Sequence, residues 1–165
     1  MQTKISGRVW KYGDDVNTDV IFAGKYTYSV SDRKDMAQHA LEDLDPTFVK
    51  NVQPGDIIVA GKNWGCGSSR EQAVICLKEA GLSAIVARSF ARIYFRNCIN
   101  EALPIVTCDA VDGVESGQEI SIDFARGRVT TPGGEYAFPP LPPEVLAILE
   151  AGGLIPYVRR QLGVE

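Results

Sequence analysis

Polar and apolar residues in this chain alternate with two different periods. Lys4-Ile-Ser-Gly-Arg-Val-Trp10 alternates and predicts a strand, ended by the polar run Tyr12-Gly-Asp-Asp15. Asp56-Ile-Ile-Val-Ala60, Ser83-Ala-Ile-Val-Ala87 and Pro104-Ile-Val-Thr107 are instead short continuous apolar runs, the signature of strands buried on both faces. Between them lie two stretches of helical period, over 69–80 with Gly81 as the stop, and from Arg88-Ser-Phe90 to about Ala102. Strand–helix–strand–helix–strand predicts a mainly parallel sheet with crossover helices.

From Gly117 the alternation returns, in Gln118-Glu-Ile-Ser-Ile-Asp-Phe124, Arg128-Val-Thr-Thr131 and Glu135-Tyr-Ala-Phe138. Short turns at Arg126-Gly127 and Pro132-Gly-Gly134 join these as an antiparallel meander. Pro142-Pro143 opens a helix to about Ala151, Gly152-Gly153 breaks it, and 154–162 form a last helix. Upstream, Ser31 or Asp32 caps a helix to about Leu44, with Met36, Ala37, Ala40, Leu41 and Leu44 on its apolar face. Asp45-Pro46 opens a further helical turn through Val49. With no repeat and no linker, 1–165 read as one α/β domain with an antiparallel β section.

The chemistry concentrates in the loop Gly61-Lys-Asn-Trp-Gly-Cys-Gly-Ser-Ser-Arg70. Glycines allow a sharp turn and a close backbone approach to a ligand. If the helix begins at Ser69, then Ser68, Ser69 and Arg70 stand at its N-terminus, where unpaired N–H groups favour an anion. The loop is neither a P-loop, lacking Gly-Lys-Ser/Thr, nor G-x-G-x-x-G, since Arg70 takes the last place. A carboxylate or phosphate site with a hydroxyl acid/base fits it better than a plain turn. Two other segments are open to either reading. In the helical stretch that carries Arg92, Arg96, Asn97 and Asn100, Arg92 and Arg96 share a face that Asn100 extends, for an anion or partner or as a solvated face; Asn17-Thr-Asp19 is a turn or a positioned carboxylate leading to Val20-Ile-Phe22.

Composition narrows the options. Lys and Arg number 17 against 21 Asp and Glu, a net charge of −4 with no basic block, which argues against a nucleic-acid groove. No apolar run approaches the roughly 20 residues of a membrane span, and the N-terminus is no signal peptide, so a cytoplasmic protein is expected. Cys66, Cys76, Cys98 and Cys108 contain no C-x-x-C pair, and His39 is the single histidine. That is a poor set for zinc or an iron–sulfur cluster, so no metal is expected on this chain. Cys66 lacks a base for nucleophilic work, and His39 reads as a solvated or capping residue.

Asn17-Thr-Asp19, Gly24-Lys-Tyr26, Gly55-Asp-Ile-Ile-Val-Ala-Gly-Lys-Asn63, Gly65-Cys-Gly-Ser-Ser-Arg-Glu71, Ser89-Phe-Ala-Arg-Ile-Tyr-Phe-Arg-Asn97 and Ala151-Gly-Gly-Leu154 are six segments in fixed order. Together the set resembles the small subunit of 3-isopropylmalate dehydratase, the swivelling β/β/α domain of the aconitase superfamily. The resemblance implies a heteromeric hydro-lyase of leucine biosynthesis acting on a small hydroxy-dicarboxylate. A large partner subunit would carry a [4Fe–4S] cluster, and this chain would bind no cofactor itself. Ser68 would be the base that takes a proton α to a carboxylate. Gly67 and Ser69 would help hold substrate, Arg70 would pair with a carboxylate, and Asp19 would support the acid/base network.

The resemblance also assigns the loop after Gly24-Lys-Tyr26 to the substrate's distinguishing group, here Tyr26, Thr27, Tyr28 and Ser29. Relatives acting on homoaconitate-type substrates place an arginine there for a third carboxylate. This loop has none before Arg33, which favours isopropyl or methyl, although Arg33 folding back would restore a cation. Tyr28 and Ser29 stand where leucine or valine is expected for isopropyl, leaving 2-methylmalate and 2,3-dimethylmalate as alternatives. Gln72, where many relatives have histidine, is a second departure. A stand-alone anion-binding domain and a purely structural subunit are the readings from other classes.

Overall fold

The computed structural model describes residues 3–164. Seven strands form one sheet in the order β4-β3-β2-β1-β5-β6-β7. These are β1 Lys4–Lys11, β2 Ile57–Ala60, β3 Ala84–Ala87, β4 Ile105–Thr107, β5 Glu119–Asp123, β6 Arg128–Thr131 and β7 Gly134–Ala137. β1 is shared between two halves. Its end pairs parallel with β2 (Val9 opposite Ile57), and its start pairs antiparallel with β5 (Ile5 opposite Ile122). β2, β3 and β4 continue the parallel half, and β5, β6 and β7 the antiparallel half.

Both faces of the parallel half are covered, which is why its strands read as apolar runs. Ile58, Ala60, Ile85, Ala87 and Ile105 pack with the helices in one core. Their neighbours Ile57, Val59, Ala84, Val86 and Val106 pack with Ile120, Ile122 and Val129 of the meander in a second core. The layers are therefore helix, parallel sheet and antiparallel sheet, the α/β class with an antiparallel section that the patterning predicts.

The helices are α1 Thr18–Ile21, α2 Arg33–Ala37, α3 Thr47–Asn51, α4 Gln72–Glu79, α5 Arg92–Asn100, α6 Pro143–Ala151 and α7 Leu154–Leu162. α4 buries Ala73, Val74, Ile75, Cys76 and Leu77 and contacts α1, α2 and α5; α6 and α7 pack on α5. α2 stops well short of the predicted Leu44. Leu41 is buried with its backbone in the left-handed region (φ +55) and donates its N–H to the Ile21 carbonyl at 2.8 Å. That tertiary bond competes with helical continuation and wins. The apolar face itself is half right, since Met36, Ala40 and Leu41 are buried whereas Leu44 is exposed. Among the described residues no helix is long and apolar enough to cross a membrane.

Candidate active site

Three chain segments meet beyond the carboxyl ends of β1, β2 and β3, the edge where open α/β sheets place their ligands. The loop after β2 is held on one side by the segment before α1, where Gly65 N–H donates to Val16 O and Thr18 N–H to Cys66 O, both at 2.8 Å. On the other side, Trp64 N–H donates to Ser89 O and Ala91 N–H to Trp64 O, at 3.1 and 3.0 Å. Gly65 sits where these strings converge. Its φ is +82, and a Cβ there would lie 2.2 Å from Tyr94 Cγ, so only glycine lets the loop pass this buried ring.

The loop's far end turns on Thr18 and Arg70. Thr18, almost fully buried, donates from its hydroxyl to Ser68 O at 2.8 Å, and its oxygen lies 3.5 Å from Ser68 Oγ. Arg70 Nη1 pairs with Asp19 Oδ1 at 2.9 Å and also donates to Phe22 O at 3.3 Å. Asp19 Oδ1 accepts a further bond from Gly24 N–H at 2.8 Å. A Cβ on Gly24 would crowd Asp19 Oδ1 at 2.9 Å and both Arg70 terminal nitrogens at 3.1 Å, so the 24–26 turn closes directly over this pair. Asn17 opens α1 by accepting from Val20 N–H with its side chain at 3.0 Å. The segment 17–19 is thus a capped helical turn, and Asp19 is a positioned carboxylate.

These bonds correct one expectation. α4 begins at Gln72, with Glu71 as its N-cap, and not at Ser69. Ser68 O is taken by the Thr18 hydroxyl and the Arg70 side chain by Asp19, and of these residues only Arg70 meets the helix, its carbonyl accepting from Ala73 N–H at 3.3 Å. Ser68 and Ser69 therefore lie before the α4 dipole, whose influence fades within a turn. The helix end that opens on the site is that of α5. A cleft of about 410 Å³ has Thr18, Gly67, Ser68, Ser69 and Arg70 on one wall. Ala91, Arg92, Ile93, Tyr94, Arg96 and Asn97 form the other. Ser68 and Ser69 are exposed to it.

Comparison with known proteins agrees with this geometry. The sequence model of the aconitase C-terminal domain family matches residues 15–110, which span both walls of the cleft. The 3-isopropylmalate dehydratase small subunit 2 of Archaeoglobus fulgidus is 48% identical over 159 residues, covering 95% of this chain and 96% of its own. The corresponding small subunit of Caldicellulosiruptor bescii is 50% identical over 159 residues, covering 94% and 95%. This chain belongs to the 3-isopropylmalate dehydratase small-subunit family. A crystal structure of 3-isopropylmalate dehydratase from Methanocaldococcus jannaschii superposes with a TM-score of 0.91 at 39% identity, covering 96% of this chain and 95% of that one.

Within this family fold the predicted residues divide. Asp19, Gly67, Ser68, Ser69 and Arg70 are brought together. Tyr26, Thr27, Tyr28 and Ser29 are not among the residues that line the cleft. Tyr28 is fully exposed, and Ser29 Oγ makes only a 3.4 Å bond to Lys25 O. Tyr26 turns away to stack on His39 (ring centroids 3.9 Å apart) and to donate to Glu42 at 2.7 Å. Its hydroxyl is held protonated above its ordinary range, first by the Glu42 hydrogen bond, while the same bond lowers Glu42. His39 is accordingly a half-buried brace, not a solvated or capping residue.

Thr18 is the residue that sequence reasoning missed. A threonine beside two stronger candidates carries no signal until the loop is seen folded against it. Arg33 does not fold back toward 26–29, because Glu79 and Glu101 hold its guanidinium at 3.0 and 2.9 Å. The cysteines do not converge: Cys76 and Cys98 lie in the helix-side core, Cys108 in the other, and Cys66 at the cleft loop. Among the described residues no group of three His, Cys, Asp or Glu could hold a metal.

Proposed function

We propose that this chain is the small subunit of a heteromeric hydro-lyase that interconverts 2-isopropylmalate and 3-isopropylmalate, and that Ser68 is its base. The observation that carries the reading is the cleft itself. It sets the exposed Ser68 hydroxyl, which follows Gly67, beside an arginine fixed by Asp19, in a chain of this family.

In the dehydration step Ser68 Oγ, as the alkoxide, takes the proton from the carbon next to a carboxylate and becomes the hydroxyl. The C–H electron pair becomes the new C=C bond, and the hydroxyl on the neighbouring carbon departs with its bonding pair as hydroxide. Re-addition of hydroxide with the opposite regiochemistry gives the isomer, and Ser68 returns the proton and is again the alkoxide. A serine hydroxyl near neutral pH is a poor base, so its alkoxide needs donors and positive charge close by. Arg70 and the open end of α5 supply them, and Thr18 fixes the Ser68 backbone so that the hydroxyl faces the cleft. Asp19 holds Arg70 in place through Nη1, and Nη2 and Nε, which bond no described residue, are left for a substrate carboxylate. The cysteines of this chain do not fit an iron–sulfur cluster; Lewis-acid help to the departing hydroxyl would come from a [4Fe–4S] cluster on the partner large subunit.

For the side group, the absence of arginine from 26–29 and the capture of Arg33 by two glutamates support an uncharged substituent over a third carboxylate. The test is reconstitution with the cognate large subunit and assay on isopropylmalate, citramalate and homocitrate. Turnover highest on isopropylmalate is expected. Preference for homocitrate, or anion binding by the chain with no turnover in the complex, contradicts the proposal.

A further inference from the structure

The stretch between α1 and α2 has little structure of its own. It carries one short turn, at 24–26, and Lys25, Tyr28 and Ser29 are exposed. Yet this turn bears on the arginine that the scheme above needs. Among the described residues the Asp19 carboxylate bonds only Gly24 N–H, at 2.8 Å, and Arg70, at 2.9 Å. Where Gly24 lies therefore decides how Asp19 can hold Arg70.

The turn is tied down through Tyr26. Its ring meets Phe22 at 6.0 Å between centroids and stacks on His39 at 3.9 Å, and its hydroxyl donates to Glu42 Oε2 at 2.7 Å. Glu42 Oε1 faces His39 Nδ1 at 3.6 Å, and that nitrogen, closed to solvent, bonds no described residue. His39 and Glu42 are carried by a firmly anchored segment. Ala40 and Leu41 between them are fully buried, and Leu41 N–H donates to Ile21 O at the end of α1. The contacts thus close a circuit, from Asp19 and Ile21 on α1 through Leu41, His39, Glu42, Tyr26 and Gly24 back to Asp19. With 27% and 38% of their side chains in solvent, His39 and Glu42 add little to global stability. What they hold is the turn.

We infer that His39 and Glu42 are positioning residues for the reaction: they clamp Tyr26 and the 24–26 turn, and through Gly24 N–H and Asp19 they set the Arg70 guanidinium for a substrate carboxylate. This rests on the proposed function and deepens it. Neither residue lines the cleft, so both act through Arg70 alone. A binding group held in its working geometry loses little freedom when the ligand arrives, and a loosened one loses more.

The experiment is a double-mutant cycle in the complex of this chain with its large subunit. His39→Ala and Glu42→Ala are each measured alone and on Asp19→Ala, with isopropylmalate as substrate. Alone, each lowers kcat/KM by roughly three- to ten-fold, mostly through KM, because Arg70 holds the carboxylate in ground and transition states alike. On Asp19→Ala the same changes cost less than about two-fold, since the path to Arg70 is already cut. Glu42→Gln keeps an acceptor for Tyr26 and His39→Phe keeps the stack, so both stay within about two-fold of wild type. Tyr26→Phe, which removes one hydroxyl, replaces in the cycle any alanine variant that does not assemble. Equal losses with and without Asp19 overturn the proposal, because the clamp then serves the fold and not Arg70. Unchanged kcat/KM in both alanine variants overturns it too. Hydrogen exchange at the Gly24 and Tyr26 amides is read on the same complexes without turnover, and it quickens about ten-fold in the alanine variants if the clamp holds the turn. Unchanged exchange overturns the clamp. Absence of isopropylmalate turnover in the wild-type complex counts against the proposed function alone, because exchange still decides whether the turn is clamped.

Discussion

Asp19 and Arg70 form an ion pair that is too exposed to matter for stability. Asp19 has 65% of its side chain in solvent, and exposed pairs contribute at most about 1 kcal/mol. Its worth lies in orientation, since one carboxylate oxygen fixes both the arginine and the Gly24 backbone. Replacing Asp19→Ala should therefore leave the melting temperature nearly unchanged and lower kcat/KM by roughly ten- to hundred-fold. A large fall in melting temperature with normal kinetics would contradict that division. Ser68, Arg70 and Asp19 were all legible from residue type and family pattern. Thr18 was not, because its contribution is a hydrogen bond to a residue 50 positions away that no local pattern encodes.

Element boundaries follow the same logic. β2, β3 and β4 were readable as buried strands because an apolar run covered on both faces has no polar residue to hide. α4 and α2 were misjudged at one end each, and in both cases a long-range bond overrode local propensity: Thr18 and Asp19 hold 68–70, and Ile21 holds Leu41. The 26–29 segment was assigned to the substrate by family pattern, but its ring packing on His39 and Glu42 could not be read from sequence. At this scale Gly65 is a sensitive position. Gly65→Ala must displace the buried Tyr94 ring and sit at φ +82, which together should cost about 2–4 kcal/mol in denaturant unfolding. A cost below about 0.5 kcal/mol would mean that the loop and α5 are not locked together here.

Over the whole molecule, the two halves of the sheet meet at β1, and Asp56 ties that junction to α3. Its Oδ2 accepts from Arg8 and Gln53 N–H at 2.9 Å and from Trp10 at 2.8 Å, and Arg8 also donates to the Asn51 carbonyl. Asp56→Ala removes the buried acceptor shared by Gln53 N–H, Trp10 and Arg8 and should destabilise by about 1–3 kcal/mol in urea. Asp56, Asp45 and Glu42 all have carboxyls held below the usual range. Burial opposes this in Asp56 and Asp45, and is outweighed by Gln53, Trp10 and Arg8 in one and by Thr47 and Tyr12 in the other. The unfolded chain therefore binds more protons in acid. Stability from these groups is complete above the ordinary carboxylate range near about pH 4 and is lost as pH falls through the lower folded values. Urea midpoints should be flat from about pH 7 to about pH 5 and drop below about pH 4; midpoints that rise on acidification would refute the assignment. The decisive measurement, however, is of chemistry. In the reconstituted complex, Ser68→Ala should reduce kcat at least about 10³-fold, with unchanged melting temperature and subunit affinity. A near-normal kcat in that variant would show that Ser68 is not the base.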